Sequence, residues 1–246
     1  MHRAISRTAS RISFRSSLLA CAAVFALSAA LAVAASDKKS SAASVFAADK
    51  GKLSIQLNGQ TIGHEEFSIE PAGAGWMAKG TTDLKVPQSS SAKVSGTLVL
   101  QDDGAPISYE WSSAAEKTNA AKILFANGVA KITLLMQGAR PFEQDLTFGA
   151  PVIAVLDNNL YHQYAVLARV YDWSKRGVQS FPVLIPQELT PGSITVEATG
   201  DAKVDGKEYE GLRVSTSDLE VLLALDSNHR LMRLEVPSAK VSVVRE

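Results

Sequence analysis

The chain has 246 residues, 46% of them hydrophobic and 20% charged, with 25 basic and 25 acidic side chains. That is enough apolar material for a core, and it excludes an intrinsically disordered chain. The length suits one large β domain.

The first 35 residues stand apart. Arg3, Arg7, Arg11 and Arg15 precede an almost unbroken apolar run from Leu18 to Ala35, with no acid among them. A basic start, an apolar middle and the small-residue ending Ala32-Val33-Ala34 form the pattern of a secretory signal peptide. An uncleaved anchor is the alternative, because the run approaches membrane-spanning length; only then does the chain contact a membrane. A lipoprotein signal on Cys21 fits less well, since that Cys lies near the start of the run. The expected location is the periplasm, or the exterior, of a bacterium. Without the leader the chain has 21 basic and 25 acidic residues, about −4 in formal charge. It has no basic cluster, which argues against nucleic acid as a partner. Cys21 is the only cysteine, so the exported chain has no disulfide, thiol nucleophile or thiolate metal site.

Residues 36–49 are small and polar at first and read as a flexible lead into a single domain over residues 50–246. Leu53, Ile55 and Leu57 then alternate, Asn58-Gly59 follows, and a second run continues through Ile62 to Phe67 and Ile69. Asn-Gly between alternating runs signals a hairpin, because both central residues of a type I′ turn need positive φ. Asn127-Gly128 repeats the device. Val94–Leu100 and Ile107–Trp111 flank Asp102-Asp103-Gly104, and Leu219–Leu225 and Leu231–Val236 flank residues 226–229. Further strands are expected at residues 76–84, 142–148, 152–156, 179–185, 194–199, 209–216 and 241–245. This succession reads as an antiparallel meander.

One stretch breaks the period of two. Leu160, Tyr164, Leu167 and Tyr171 fall on one helical face, which predicts a helix near residues 158–174. Asp157 is the expected N-cap, Leu156 and Tyr161 a hydrophobic staple, and Lys175, Arg176 and Gly177 the C-terminal signals. On the wheel His162 and Arg169 point away from the Leu stripe, toward solvent. Pro182 and Pro186 flank an apolar run, which makes residues 181–185 an edge or bulged strand.

The segments LNGQTIGHEEFSIE, VLQDDGAPISYEW, LDNNLYHQYAVLARVYDW and LLALDSNHRLMRLEVP, in that order, resemble uncharacterised exported bacterial families of unknown function. Those families have a half-closed antiparallel β-barrel similar in outline to periplasmic lipoprotein carriers. The resemblance implies a mainly β fold: a strongly curved antiparallel sheet with one amphipathic helix on its concave side. It implies no enzymatic activity. The lipoprotein carriers hold acyl chains inside the curved sheet, but no residue motif carries that property to this chain.

Standard catalytic motifs, phosphate loops and cofactor fingerprints are absent. No cofactor is expected. Gly73-Ala74-Gly75 reads as a plain turn. His64-Glu65-Glu66 reads as a solvated strand face; His64 and Glu66 share one side, too few ligands for a metal. Leu160, Tyr164, Leu167 and Tyr171 are the candidate wall of an apolar pocket for a lipid or other amphiphile, with Asp157, Asn159 and Gln187 as a polar rim. Ordinary core packing is the competing reading of that stripe, and helix capping that of Asp157. A second possibility is an interaction module that adds a partner strand at Phe181–Ile185. A third is a hydrolase with a dispersed site at Asp157, His162 and Asp172.

Overall fold

The computed structural model of the chain describes residues 44–85, 91–114 and 118–246. The expected signal peptide and the first part of the lead, residues 36–43, lie outside them. Residues 44–49, expected to be flexible, are packed instead. Phe46 is buried with its ring 5.6 Å from Trp76, and Asp49 opens the first strand.

The strands are β1 (Asp49–Leu57), β2 (Gln60–Ala72), β3 (Gly75–Leu84), β4 (Ala92–Leu100), β5 (Pro106–Ala114), β6 (Thr118–Ala126), β7 (Val129–Met136) and β8 (Phe142–Thr147). The two-residue β9 (Ala154–Val155) and the helix α1 (His162–Val170) follow. Then come β10 (Gln179–Ile185), β11 (Thr190–Val204), β12 (Lys207–Ser215), β13 (Glu220–Leu225), β14 (Leu231–Val236) and β15 (Val241–Arg245). All pair in one sheet, ordered β8-β7-β6-β5-β4-β3-β2-β1-β15-β14-β13-β12-β11-β10-β9. Strands β1 to β8 and β10 to β15 pair with their sequence neighbours as antiparallel hairpins, β1 with β15 joins the two runs, and β8 and β9 lie at opposite ends of the order. Only the short β9–β10 pair is parallel.

The sheet is a large curved ribbon that does not close into a barrel. Its β8 end comes alongside β11 without pairing. Turn chemistry matches the sequence reading. Asn58 and Gly59 have φ of 51° and 77°, and Asn127 and Gly128 have 52° and 73°. A third such turn, Asp205-Gly206, joins β11 to β12.

Alternation decides which side chains face inward. Glu65, Phe67 and Ile69 of β2 are buried on the concave side, as are Ala78 and Thr82 of β3, Leu98 and Leu100 of β4, and Tyr109 of β5. Helix α1 lies against this side, touching β2, β3 and β14. Its nine residues are too few to be stable alone in water, so its conformation depends on this packing. Instead of the expected edge or bulged strand, the proline-flanked β10 lies next to the edge and pairs with β11 along its whole length without a bulge, while β9 covers only Val183 and Leu184 on its other side.

Candidate functional site

Asp157 does not cap α1. The helix begins at His162, four residues later than expected, and has no side-chain cap from its own segment. Asn158 and Asn159 form a turn first, Asn159 in the left-handed region at φ 67°. Thr82 Oγ1 donates to the Asn159 carbonyl at 2.6 Å, which ties this turn to β3.

The cap comes from across the sheet. Glu65 of β2 is fully buried, and its carboxylate accepts from the backbone N–H of Tyr161 at 2.7 Å and of His162 at 3.2 Å. It also pairs with His162 Nδ1 at 2.5 Å. A negative group here answers the unsatisfied N–H groups and positive end of the helix. The His162 ring stacks on Phe67, with centroids 6.2 Å apart. His162 therefore faces the sheet, not solvent, and Glu65 is not on a solvated face. The curved ribbon surrounds α1, so the side opposite the Leu stripe is buried too. The outer neighbour His64 is on the surface as expected and pairs with Glu246 at 2.8 Å.

Two glycines make room for this approach. Gly80 and Gly96 are register partners on β3 and β4. A Cβ on Gly80 would overlap His162 Nδ1 and sit 2.6 Å from Glu65 Oε1. One on Gly96 would sit 2.6 Å from Leu160 Cδ1 and 2.7 Å from Tyr109 Oη.

Beside this pair lies a ring of three residues. Tyr109 Oη donates to Asp157 Oδ2 at 2.6 Å, and Gln163 Nε2 donates to Tyr109 Oη at 3.1 Å. The Asp157 backbone N–H donates to Gln163 Oε1 and closes the ring. Burial pushes the Asp157 carboxyl up to about 7, against the hydrogen bond from Tyr109. The Tyr109 phenol is pushed well up by burial and by the Asp157 carboxylate. Two buried atoms of the cluster have no partner among the described residues: Asp157 Oδ1 and His162 Nε2.

The other end of α1 is built differently. It stops at Val170, not near residue 174, and Tyr171 is extended. Gln179 of β10 holds the backbone of Asp172 at both N–H and C=O, each at 2.9 Å. Tyr171 packs edge-on to Trp173 at 5.0 Å, and Trp173 stacks on His229 at 4.0 Å. Glu210 receives both His229 at 2.9 Å and Arg176 at 2.7 Å.

Of the predicted wall, Leu160, Leu167 and Tyr171 are buried in the core, and Tyr164 is half-buried. Burial pushes the Tyr164 and Tyr161 phenols up to about 12. Side chains fill most of the space beneath the helix. A seam of about 20 Å³ remains between α1, β4 and β10, lined by residues such as Leu98, Leu100, Val155, Val166 and Phe181. It holds about one water. Gln163 is its one polar side chain. The predicted rim is dispersed: Asp157 is buried, Asn159 contributes a backbone carbonyl, and Gln187 accepts from the Asn158 N–H at 3.1 Å on the surface. Asp172 does not join Asp157 and His162. It lies beyond the far end of α1, about 15 Å along the helix axis. Among the described residues, no group of three His, Cys, Asp or Glu could hold a metal.

Thr82 and Tyr109 are not singled out by the sequence; Glu65 reads there as part of a solvated strand face, and Gln163 as one of the polar residues around the helix start. Glu65 was the findable one, since alternation places it in phase with Phe67 and Ile69.

No protein-family model matches the chain, and no curated protein does. Among solved structures it resembles a β-barrel-like protein of domain of unknown function DUF1849 from Brucella abortus. That likeness has a TM-score of 0.51 at 10% identity, covering 80% of this chain and 94% of the other. A DUF1089 family protein from Pseudomonas aeruginosa follows, with a TM-score of 0.47, 10% identity and coverage of 71% and 90%. The first likeness is one of fold, and it bears out the expected resemblance to bacterial domains of unknown function with a barrel-like sheet.

Proposed function

We propose that this is an exported, non-enzymatic envelope protein that takes an apolar or amphiphilic ligand between α1 and the curved sheet. The observation that carries this reading is the seam beneath α1, apolar on nearly every side and covered by a single nine-residue helix. An acyl chain entering it would bury apolar surface on both walls. Because the seam holds about one water with α1 in place, uptake requires the helix to lift. Gln163 is the polar side chain that α1 turns toward it. The export signal in residues 1–35 supports the envelope location. Against catalysis, the hydroxyls of Thr82, which is opposite Glu65 on β3, and of Tyr109 are already committed as donors.

Delipidated protein should gain thermal stability with fatty acids or phospholipid, by mass action. No shift across a panel of acyl-chain lengths overturns the reading. A second reading, an interaction module, is favoured by the exposed apolar side chains Leu124, Leu135, Met136 and Phe142 on β6, β7 and β8. Strand addition at Phe181–Ile185 has less support, because β11 and β9 already pair there. The β8 end of the sheet is the alternative place. Pull-down from envelope extract with Leu135→Lys as control tests it, and an unchanged partner list removes it.

A further inference from the structure

We propose that α1 is a proton-gated lid, shut while the Asp157 carboxyl is neutral and lifted at its N-terminal end, over a hinge at Tyr171–Gln179, when that carboxyl ionises. This rests on the ligand reading above, whose site it regulates.

The geometry of Asp157 carries the inference. Its carboxyl is 5% exposed, one oxygen accepts a single hydrogen bond from Tyr109, and the other oxygen has no partner among the described residues. The Asn158 backbone N–H also favours the ionised form, but burial outweighs both donors: a neutral carboxyl tolerates such a place, whereas a carboxylate with so few donors and no cation does not. Among the described residues, no lysine or arginine pairs with Asp157. The neighbouring charge is of the same sign: Glu65 from β2 acts on the same Tyr109 hydroxyl. His162 answers Glu65, not Asp157. Thr82 from β3 and Gln163 on α1 are neutral, as are the seam residues of β4 and β10. Beyond Phe67, Arg245 from β15 is held by Asp49 of β1. Ionisation therefore lacks a counter-charge inside the closed site and finds its solvation by moving outward.

Movement at this end breaks a coupled set of contacts, because Asp157 shares the Gln163–Tyr109 ring with α1 itself. The opposite end stays anchored by Gln179 on the Asp172 backbone and by the Tyr171–Trp173–His229 stack. The sign follows from the proton balance. The closed site holds the Asp157 proton up to a pH of about 7, whereas an exposed carboxyl releases it near 3.8. Opening then rises about tenfold per pH unit across that interval and levels off above it.

Hydrogen exchange on the full exported chain reads this without any ligand. Protection factors, corrected for intrinsic exchange, should fall for the amides of residues 161–166 as pH rises from 5 to 7, then flatten. Those of residues 170–175 should change far less. Asp157→Asn should remove most of the slope. Tyr109→Phe, which takes away the stronger of the two hydrogen bonds favouring the carboxylate, should carry the decline past pH 7. The proposal is overturned if Asp157→Asn keeps the wild-type slope, if Tyr109→Phe leaves the midpoint unmoved, or if both helix ends exchange together. A gated lid that binds no acyl chain at any pH would sink the ligand reading and leave the gate standing.

Discussion

The two ends of α1 solve the same problem by opposite means. At the N-terminus a single carboxylate, Glu65, meets two backbone N–H groups and an imidazole in a place without solvent. At the C-terminus the attachment is spread over an amide clamp, three packed rings and ion pairs that water reaches. In the low dielectric of the interior each polar partner is indispensable, because the group left behind stays buried and unpaired. At the surface, water replaces whatever is lost. One end should therefore behave as all-or-none and the other as redundant.

Glu65→Ala should show the contrast most strongly, at about 3–5 kcal/mol of unfolding free energy in urea titration. A loss under about 1 kcal/mol, the range of an exposed pair, would erase it.

Asp157 tests the same end through pH. Its folded value is raised from 3.8 to about 7, so the native state holds this proton more tightly than the unfolded chain does. The stability it confers is complete below about 4 and is lost as pH climbs to 7. The loss is at most roughly 4 kcal/mol, taking 1.36 kcal/mol per unit. Asp157→Asn should thus be more stable than wild type at pH 8, by about 2 kcal/mol, and no more stable at pH 4. Equal midpoints at pH 8 would show that the carboxylate finds solvation without moving.

Gly80→Ala pushes a methyl group into the Glu65–His162 pair and should cost about 1–3 kcal/mol, the range for overpacking. Gly73→Ala, at a turn with open space around it, lets the two effects be told apart: its cost comes from φ of 61° and not from contact. If both cost the same, the close approach at Gly80 is not what the cap depends on.

At the far end His229→Ala removes one stacked ring and one partner of Glu210, leaving Arg176 in place. About 0.5–1.5 kcal/mol is expected from the loss of stacking. A cost matching Glu65→Ala would mean that the C-terminal end is no less brittle than the other.

Much of the sheet was legible. The limits of β10 and β15 match the expected strands, and the Asn58-Gly59 and Asn127-Gly128 turns have the conformation their residues require. Asp205-Gly206 carries the same signal and was passed over. The helix was legible in kind, because Leu160, Tyr164, Leu167 and Tyr171 keep the period. Its limits were not. Asp157, Lys175, Arg176 and Gly177 are good local terminators, yet the ends were set by Glu65, far back in the chain on β2, and by Gln179, which reaches Asp172 from the following strand. The wheel also misplaced His162, because it assumes a single buried face, whereas a helix inside a curved sheet is buried on more than one.

The chain by itself decided the meander, because period-two alternation and positive-φ turn residues act over a few positions and need no distant partner. Folding in three dimensions decided what surrounds α1. Bringing β2, β3 and β5 against one turn put Glu65, His162, Asp157 and Tyr109 together where water is excluded, and in that low dielectric neighbours, rather than intrinsic preferences, fix where a helix starts and which proton is held.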